Sequence, residues 1–248
     1  ESKNAKNAAK AGGISLMALS LAACGGSSTP VAVAPAADPV VPVVPAVDAA
    51  KAFVLTTGQD VGASFTGGSG NDSFSALNTT LTVGDNITGG AGTDTLTMST
   101  ALSANTTVAG FTTTGVENIT VAVSDADAAT AETLTMNMLN SDASTLTVSG
   151  TNTTTASDTV AFTNVAGGTT IALSNAVDLD VTATFVTDAT KGTADAASVS
   201  LSGVDMTAAG DAVLTISAGI ETLNVNSTGS ANEIGDLVFG GTTLNITG

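Results

Sequence analysis

The chain has 248 residues, and 22 acidic against five basic side chains give it a formal net charge of −17, so its surface repels nucleic acid and anionic lipid. It contains no His, Trp or Tyr, which removes the commonest general base near neutral pH and the rings that usually stack on sugars. Most catalytic routes are thereby closed, and we expect no enzyme. Because aromatic residues make up only 3%, small apolar side chains must fill the core, which favours narrow stacked β coils.

Residues 1–24 have the parts of a bacterial export signal. Three lysines lie within the first ten residues, and the apolar run over 11–23 is too short to span a bilayer. The run ends in Leu-Ala-Ala-Cys-Gly, which contains the sole cysteine, Cys24, and resembles the lipobox of bacterial lipoproteins. The resemblance implies lipid attachment at Cys24 and an anchor in the outer membrane. The alternative is an ordinary secretory signal with a free thiol.

A tether is predicted over residues 25–51. All five prolines lie between positions 30 and 45, interleaved with Val and Ala. Such segments extend as polyproline II and act as semi-rigid spacers. After a lipid anchor, the spacer would lift the folded part of the chain off the membrane.

From residue 52 onward, short segments alternate Thr, Ser or Asn with Leu, Ile or Val, which is the period-two pattern of half-buried strands. The predicted strands are 52–57, 79–83, 95–98, 118–123, 132–138, 144–149, 158–163, 169–173, 178–185, 197–201, 212–217, 221–226 and 242–247. A short helix is predicted over 125–133. Because similar segments recur, we expect an all-β fold in which the coils of a parallel β-solenoid stack on one another. The alternative is an antiparallel β-sandwich.

Two segments, residues 67–74 and 89–96, share the pattern G-G-x-G-x-D-x-apolar, which is typical of calcium-binding β-roll turns. Glycine permits positive φ values and leaves backbone carbonyls accessible, and the aspartate adds a hard anionic oxygen. Calcium binds six to eight such oxygens and tolerates irregular geometry. The sequence therefore predicts Ca²⁺ at these turns; the alternative is that they are ordinary Gly-Asn-Asp turns.

With residues 55–60, 81–88 and 115–119, these motifs resemble S-layer proteins of the Caulobacter type and related β-strand-repeat proteins with RTX calcium motifs, over about residues 53–125. The resemblance implies a right-handed parallel β-solenoid that binds calcium at its turns and assembles into a calcium-dependent surface lattice. By position, the ligands would be the carboxylates of Asp60, Asp72, Asp85 and Asp94 and the carbonyls of Gly68, Gly70, Gly90 and Gly92. Two features depart from the family: the motifs are 22 residues apart rather than in tandem, and the anchor is a lipid.

Four other acidic residues occur in informative positions. Glu117 and Glu221 lie in the similar contexts GVEN and GIET, which predicts a repeated structural corner rather than a catalytic pair. Asp178 and Asp180 flank one leucine, so we expect both on the same face of a strand, as solvated acids, with calcium binding as the alternative.

The chain is thus divided into a signal peptide (1–24), a tether (25–51), a calcium-binding β-roll-like segment (52–125) and a strand-repeat solenoid (126–248) that we expect to continue past the last residue. This organisation favours a structural protein of the bacterial cell surface, whose partners are calcium, the outer membrane and further copies of itself. A calcium-dependent adhesin or surface spacer would have the same composition. A polysaccharide-active enzyme is least favoured, because residues 52–248 contain a single lysine, Lys191, and no arginine.

Overall fold

The structure, a computed structural model, describes residues 46–125, 130–152, 156–207 and 212–248. The predicted signal peptide, its Cys24 and residues 25–45 of the predicted tether lie outside this part of the chain. Residues 46–51 are exposed and belong to no strand or helix. Among the residues described, no helix is long and apolar enough to cross a membrane.

The described residues form eighteen strands and two single-turn 3-10 helices. The strands are β1 (Ala52–Val54), β2 (Thr66–Gly68), β3 (Ser73–Leu77), β4 (Asn86–Gly90), β5 (Thr95–Leu102), β6 (Thr106–Val108), β7 (Thr112–Thr114), β8 (Asn118–Asp125), β9 (Thr133–Asn137), β10 (Thr145–Thr151), β11 (Thr159–Val165), β12 (Thr170–Val177), β13 (Asp180–Phe185), β14 (Ala196–Ser202), β15 (Val213–Ile216), β16 (Thr222–Thr228), β17 (Asp236–Phe239) and β18 (Thr243–Thr247). The 3-10 helices are Gly62–Phe65 and Thr187–Thr190.

All neighbouring strands pair in parallel. They form a nine-stranded sheet (β1, β3, β5, β8, β10, β12, β14, β16, β18), a six-stranded sheet (β6, β9, β11, β13, β15, β17) and a three-stranded sheet (β2, β4, β7). After each circuit the chain returns to the nine-stranded sheet one strand further on. This is a parallel β-solenoid, so the predicted all-β solenoid is confirmed and the antiparallel sandwich is wrong.

The length of one coil follows from the strand register. Ser73 pairs with Thr95, and Thr95 pairs with Asn118, so these coils take 22 and 23 residues. Further along, Thr170 pairs with Ser198, and that coil takes 28 residues. The corners therefore vary in length while the strands stay in register, which explains the irregular spacing of strands in the sequence.

Inward-facing side chains of the nine-stranded sheet form a continuous apolar column. In β10, Leu146 is buried, whereas its neighbour Thr147 is half-buried on the outer face. Parallel register places like positions above one another, so Leu146 lies between Ile119 and Ile171. The column consists of Phe53, Phe74, Leu96, Ile119, Leu146, Ile171, Val199, Val225 and Ile246. Each coil before β18 thus buries its apolar surface against its neighbours in the stack, whereas Ile246 in β18 is 68% exposed.

One predicted strand, 79–83, is wrong, because these residues form a turn between β3 and β4. The carbonyl of Leu77 accepts the N–H groups of Thr80 and Leu81, as in a tight turn. Leu81 is buried, and the backbone N–H of Thr82 donates to a side-chain carboxylate of Asp85. The apolar-polar alternation here therefore arises from one buried leucine in a bent backbone rather than from an extended strand.

The predictions at Asp178 are also wrong. The strand begins only at Asp180, and Asp178 has a φ angle of 51° and is 1% exposed. The two aspartates therefore do not share a face of one strand, and Asp178 is not solvated.

Of the helix predicted over 125–133, residues 126–129 lie outside the described part of the chain, while Asp125 ends β8 and Thr133 begins β9.

Neighbouring residues of β10 offer a test of the stacked core. Leu146→Ala should lower the free energy of unfolding of the full chain by about 2–5 kcal/mol, because it leaves a cavity between two coils. Thr147→Ala, on the outer face, should change it by less than about 0.5 kcal/mol. Urea denaturation followed by circular dichroism measures both, and equal effects would contradict the assignment of inner and outer faces.

Candidate calcium centre

The two glycine-rich segments lie on the same corner in consecutive coils. Strand β2 pairs with β4 through Gly68 and Gly90, and β4 pairs with β7 through Thr88 and Thr114, the residues just before Gly89 and Gly115. The spacing of 22 residues is therefore the length of one coil. This register places Gly67, Gly89 and Gly115 directly above one another. The two motifs are therefore neighbours in the stack, although they are not in tandem in the sequence.

A column of acidic side chains follows this corner. Asp72 accepts the backbone N–H of Lys51 at 2.6 Å. Asp94 does the same for Asp72 at 2.6 Å, and Glu117 does so for Asp94 at 2.8 Å. At a corner the backbone N–H no longer points at a carbonyl of the neighbouring coil, so a carboxylate supplies a charge-assisted acceptor instead. We call Lys51, Asp72, Asp94 and Glu117 the corner ladder.

Asp60 and Asp85 lie at a different corner. They precede β2 and β4, whereas Asp72 and Asp94 follow these two strands. Asp85 accepts the N–H of Asp60 at 2.8 Å and that of Thr82 at 2.6 Å. Asp60 accepts the N–H and the hydroxyl of Thr56 at 2.7 and 2.8 Å. Both carboxylates therefore bind donors of the chain through both of their oxygens. The structure divides the four predicted aspartate ligands between two corners and brings only two of them to the glycine-rich turns.

The arrangement of the corner ladder recurs further along the stack. Glu221 accepts the N–H of Asp195 at 2.9 Å, just as Glu117 accepts that of Asp94. The backbone carbonyls of both glutamates in turn accept N–H groups of the following coil. The predicted repeated structural corner at Glu117 and Glu221 is therefore confirmed.

One oxygen of the corner ladder differs from the rest. Asp94 is fully buried, and its Oδ2 atom has no hydrogen-bond partner. A Cβ atom built on Gly89 would lie 2.4 Å from this oxygen and 1.8 Å from the carbonyl oxygen of Gly115. Two oxygens thus meet beside the bare α-carbon of Gly89, where any larger residue would clash. Their negative charges repel each other unless a cation lies close to both.

The surroundings of Asp94 disfavour its charged form. Burial raises the pKa of Asp94 above its usual value of 3.8, and the negative charges of Asp72 and Glu117 raise it further. The hydrogen bond from the backbone N–H of Asp72 acts in the opposite direction. A cation bound beside Asp94 would offset the cost of ionising a buried carboxyl group.

The donors at this corner fit calcium, which binds carboxylate and carbonyl oxygens and accepts irregular geometry. Among the described residues, no three Asp, Glu or Cys side chains gather where they could hold a metal ion, so an ion at this corner would also need backbone carbonyls as ligands. The Gly89 carbonyl lies with Asp72 Oδ2 beside the Gly67 α-carbon, and the Gly115 carbonyl lies with Asp94 Oδ2 beside the Gly89 α-carbon. The four predicted glycine ligands, Gly68, Gly70, Gly90 and Gly92, lie on the same corner, and the carbonyl of Gly68 accepts the N–H of Ala91.

Sequence reasoning did not select Gly115 or Glu117 as ligands, because the glycine-rich motif does not continue into their coil. One signal was present. Glu117 follows Asp94 by 23 residues, and Asp94 follows Asp72 by 22, so the acidic residues keep the period of the coil. The period of the coil alone thus links the three acidic residues of the ladder, Asp72, Asp94 and Glu117.

A comparison with family models, with curated proteins and with solved structures finds no match for this chain.

Two glycines offer a matched test of the close approach at the corner. Gly89→Ala should destabilise the full chain by about 3 kcal/mol, because the added Cβ would overlap the Gly115 carbonyl oxygen. Gly240→Ala should be nearly neutral, since nothing lies within 4 Å of its Cβ position. Thermal unfolding of both variants measures the difference, and a neutral Gly89→Ala would contradict the stacked-turn geometry.

Asp94→Asn should stabilise the calcium-free chain at neutral pH by about 1 kcal/mol, because the amide keeps the acceptor for Asp72 and offers an N–H to the Gly115 carbonyl. The folded-state pKa of Asp94 is raised, so its contribution to stability is fully present below pH 3.8 and is lost as the pH rises through the folded-state pKa. The stability gap between variant and wild type should therefore widen upward from about pH 4 to pH 7.

Chemical denaturation in chelator at several pH values measures this gap. The exposed Asp188→Asn is a control that removes the same charge elsewhere, and its gap should stay nearly constant. A gap for Asp94→Asn that narrows with increasing pH would contradict the prediction.

Proposed function

We propose that this chain is a structural protein of the bacterial cell surface, a calcium-stabilised β-solenoid that forms or attaches to an S-layer-like lattice. In this proposal Cys24 carries a lipid that anchors the chain in the outer membrane, and residues 25–51 act as the spacer. The observation that carries the calcium part is the buried Oδ2 atom of Asp94, which has no hydrogen-bond partner and lies beside the Gly115 carbonyl.

Calcium is the cation that best suits this corner. The available donors are carboxylate and carbonyl oxygens, which favour a hard cation, and the described residues contain no thiol or imidazole that would favour a transition metal. The corner ladder also places three acidic residues in consecutive coils. A divalent ion would neutralise part of this charge and bridge two coils at once.

A structural role is supported by the way the coils stack. Each coil contributes strands to long parallel sheets, and its apolar side chains pack against the adjacent coils. Ions that bridge coils at the corners would stiffen such a stack, which suits a protein that must keep its shape outside the cell. An adhesin or spacer would use the same rigid body and differ in its partner.

Thermal unfolding of the full chain in millimolar calcium and in chelator tests the calcium part. We expect calcium to raise the melting temperature of the wild type, with a stabilisation of about 2.7 kcal/mol when calcium is 100-fold above its Kd. Asp94→Asn should lose most of this response, and Asp188→Asn should keep it. Superimposed melts of the wild type would refute calcium binding at the corner.

Sedimentation and electron microscopy of the full chain test the lattice. We expect ordered assemblies in calcium that dissociate in chelator. A chain that stays monodisperse in calcium at high concentration would contradict the lattice, and a defined surface ligand bound without assembly would establish the adhesin instead.

Replacing Cys24 by Ser should release the protein from the outer membrane of expressing cells, and retention of that variant would contradict the lipid anchor.

A further inference from the structure

The glycine carbonyls of the stacked turns meet a different side chain at each level. At the first level, the Gly67 carbonyl accepts a hydrogen bond from the ammonium group of Lys51 at 2.7 Å. At the second level, the Gly89 carbonyl oxygen and Asp72 Oδ2 both lie within 2.2 Å of the point where a Cβ on Gly67 would stand. At the third level, the Gly115 carbonyl oxygen faces Asp94 in the corresponding way.

Lys51, Asp72 and Asp94 are equivalent residues of three consecutive coils. The carbonyl of Lys51 accepts the N–H of the first residue of β3, and that of Asp72 accepts the N–H of the first residue of β5. The carbonyl of Asp94 does the same for β8. The backbone of each of the three also donates to the carboxylate of the coil that follows. The three residues share these backbone hydrogen bonds, but the first side chain is a cation and the next two are anions.

We propose that the ammonium group of Lys51 takes the place of a metal ion at the first glycine-rich turn, so that residues 67–72 bind no calcium although they carry the complete motif. This inference rests on the proposed calcium binding and assigns it to the level of Asp94. The two copies of the motif are therefore not equivalent: the first is closed by a charge of the chain itself, and the second depends on an ion.

The hydrogen bonds of the first turn support this assignment. Both oxygens of Asp72 already accept backbone N–H groups, from Lys51 at 2.6 Å and from Gly68 at 2.7 Å. The Gly67 carbonyl accepts the ammonium group, so the first turn has donors for the groups that calcium would otherwise bind. Asp94 Oδ2, one coil further on, lacks a partner.

Electrostatics favours a cation at this place. Lys51 and Lys191 are the basic residues of the described part of the chain, and Lys191 pairs with the exposed Asp188 in a distant 3-10 turn. Asp48 Oδ2 and Lys51 Nζ both lie near the Gly68 α-carbon, at 2.9 and 3.2 Å from its Cβ position. An ammonium group donates three hydrogen bonds from a compact charge, which allows it to replace a bound ion.

Calcium counting by isothermal titration on the full chain tests the inference. Lys51→Asp places a carboxylate near the Gly67 carbonyl, as Asp94 lies near the Gly115 carbonyl, so this variant should bind one more calcium per chain than the wild type. Lys51→Arg keeps the positive charge and should bind the same number as the wild type. Asp94→Asn should bind one fewer, and this result tests the proposed function separately.

The outcomes distinguish the two proposals. If the wild type binds calcium and Lys51→Asp binds no more, the role of Lys51 is overturned and the proposed function stands. If the wild type binds none, the proposed function falls, and this inference falls with it.

A second measurement covers the case in which Lys51→Asp does not fold. In the wild type, calcium should shift the amide NMR signals of Gly115 and Glu117 and leave those of Gly67 and Gly68 nearly unchanged. Equal shifts at both turns would overturn the proposal.

Discussion

The corners of the solenoid depend on a hydrogen bond that the sheets cannot make. Where a strand runs straight, each N–H finds a carbonyl of the adjacent coil, but where the chain turns, one N–H per corner loses that partner. In this protein a carboxylate of the following coil accepts it, as Asp72 does for Lys51 and Asp94 does for Asp72. The backbone of one coil is thereby tied to a side chain of the next, and the stack keeps its register although coils differ in length.

This solution concentrates negative charge. Because each carboxylate caps the coil before it, consecutive acids lie one coil apart in the interior of a corner, and their mutual repulsion raises the pKa of Asp94 in addition to the effect of burial. A positive charge near the ladder would therefore stabilise the ionised form of Asp94. The ammonium group of Lys51 at the start of the ladder and the proposed calcium ion at the level of Asp94 would both offset this negative charge, one as part of the chain and one taken from the medium.

The sequence predicts the straight parts of this fold better than its corners. In β10, the alternation of Leu146 and Val148 with threonines is sufficient, because a strand exposes one face to the core and the other to solvent. The same alternation fails at residues 79–83, where a side-chain carboxylate bonds to Thr82 and bends the backbone. The alternation of polar and apolar residues does not reveal a hydrogen bond from the backbone to a nearby side chain.

The candidate site was predictable in part for a related reason. The glycine-rich motif identifies Asp72 and Asp94, since glycine is needed where coils approach closely. Glu117 escapes the motif because its turn is shorter and its side chain longer, so that only the coil period reveals it. The separate corner of Asp60 and Asp85 was not predictable, because the number of residues between two acids does not state on which side of a short strand each will lie.

The parallel register of the stack has a mechanical consequence. The hydrogen bonds between coils point along the axis of the stack, so a tensile load along that axis acts on them directly and passes through every interface in series. Coils joined in series bear the same force, and the interface with the fewest bonds yields first while the others keep their form. A rod of this kind would fail by opening between two coils rather than by unfolding as a whole. The tensile force that it withstands would be set by its weakest interface.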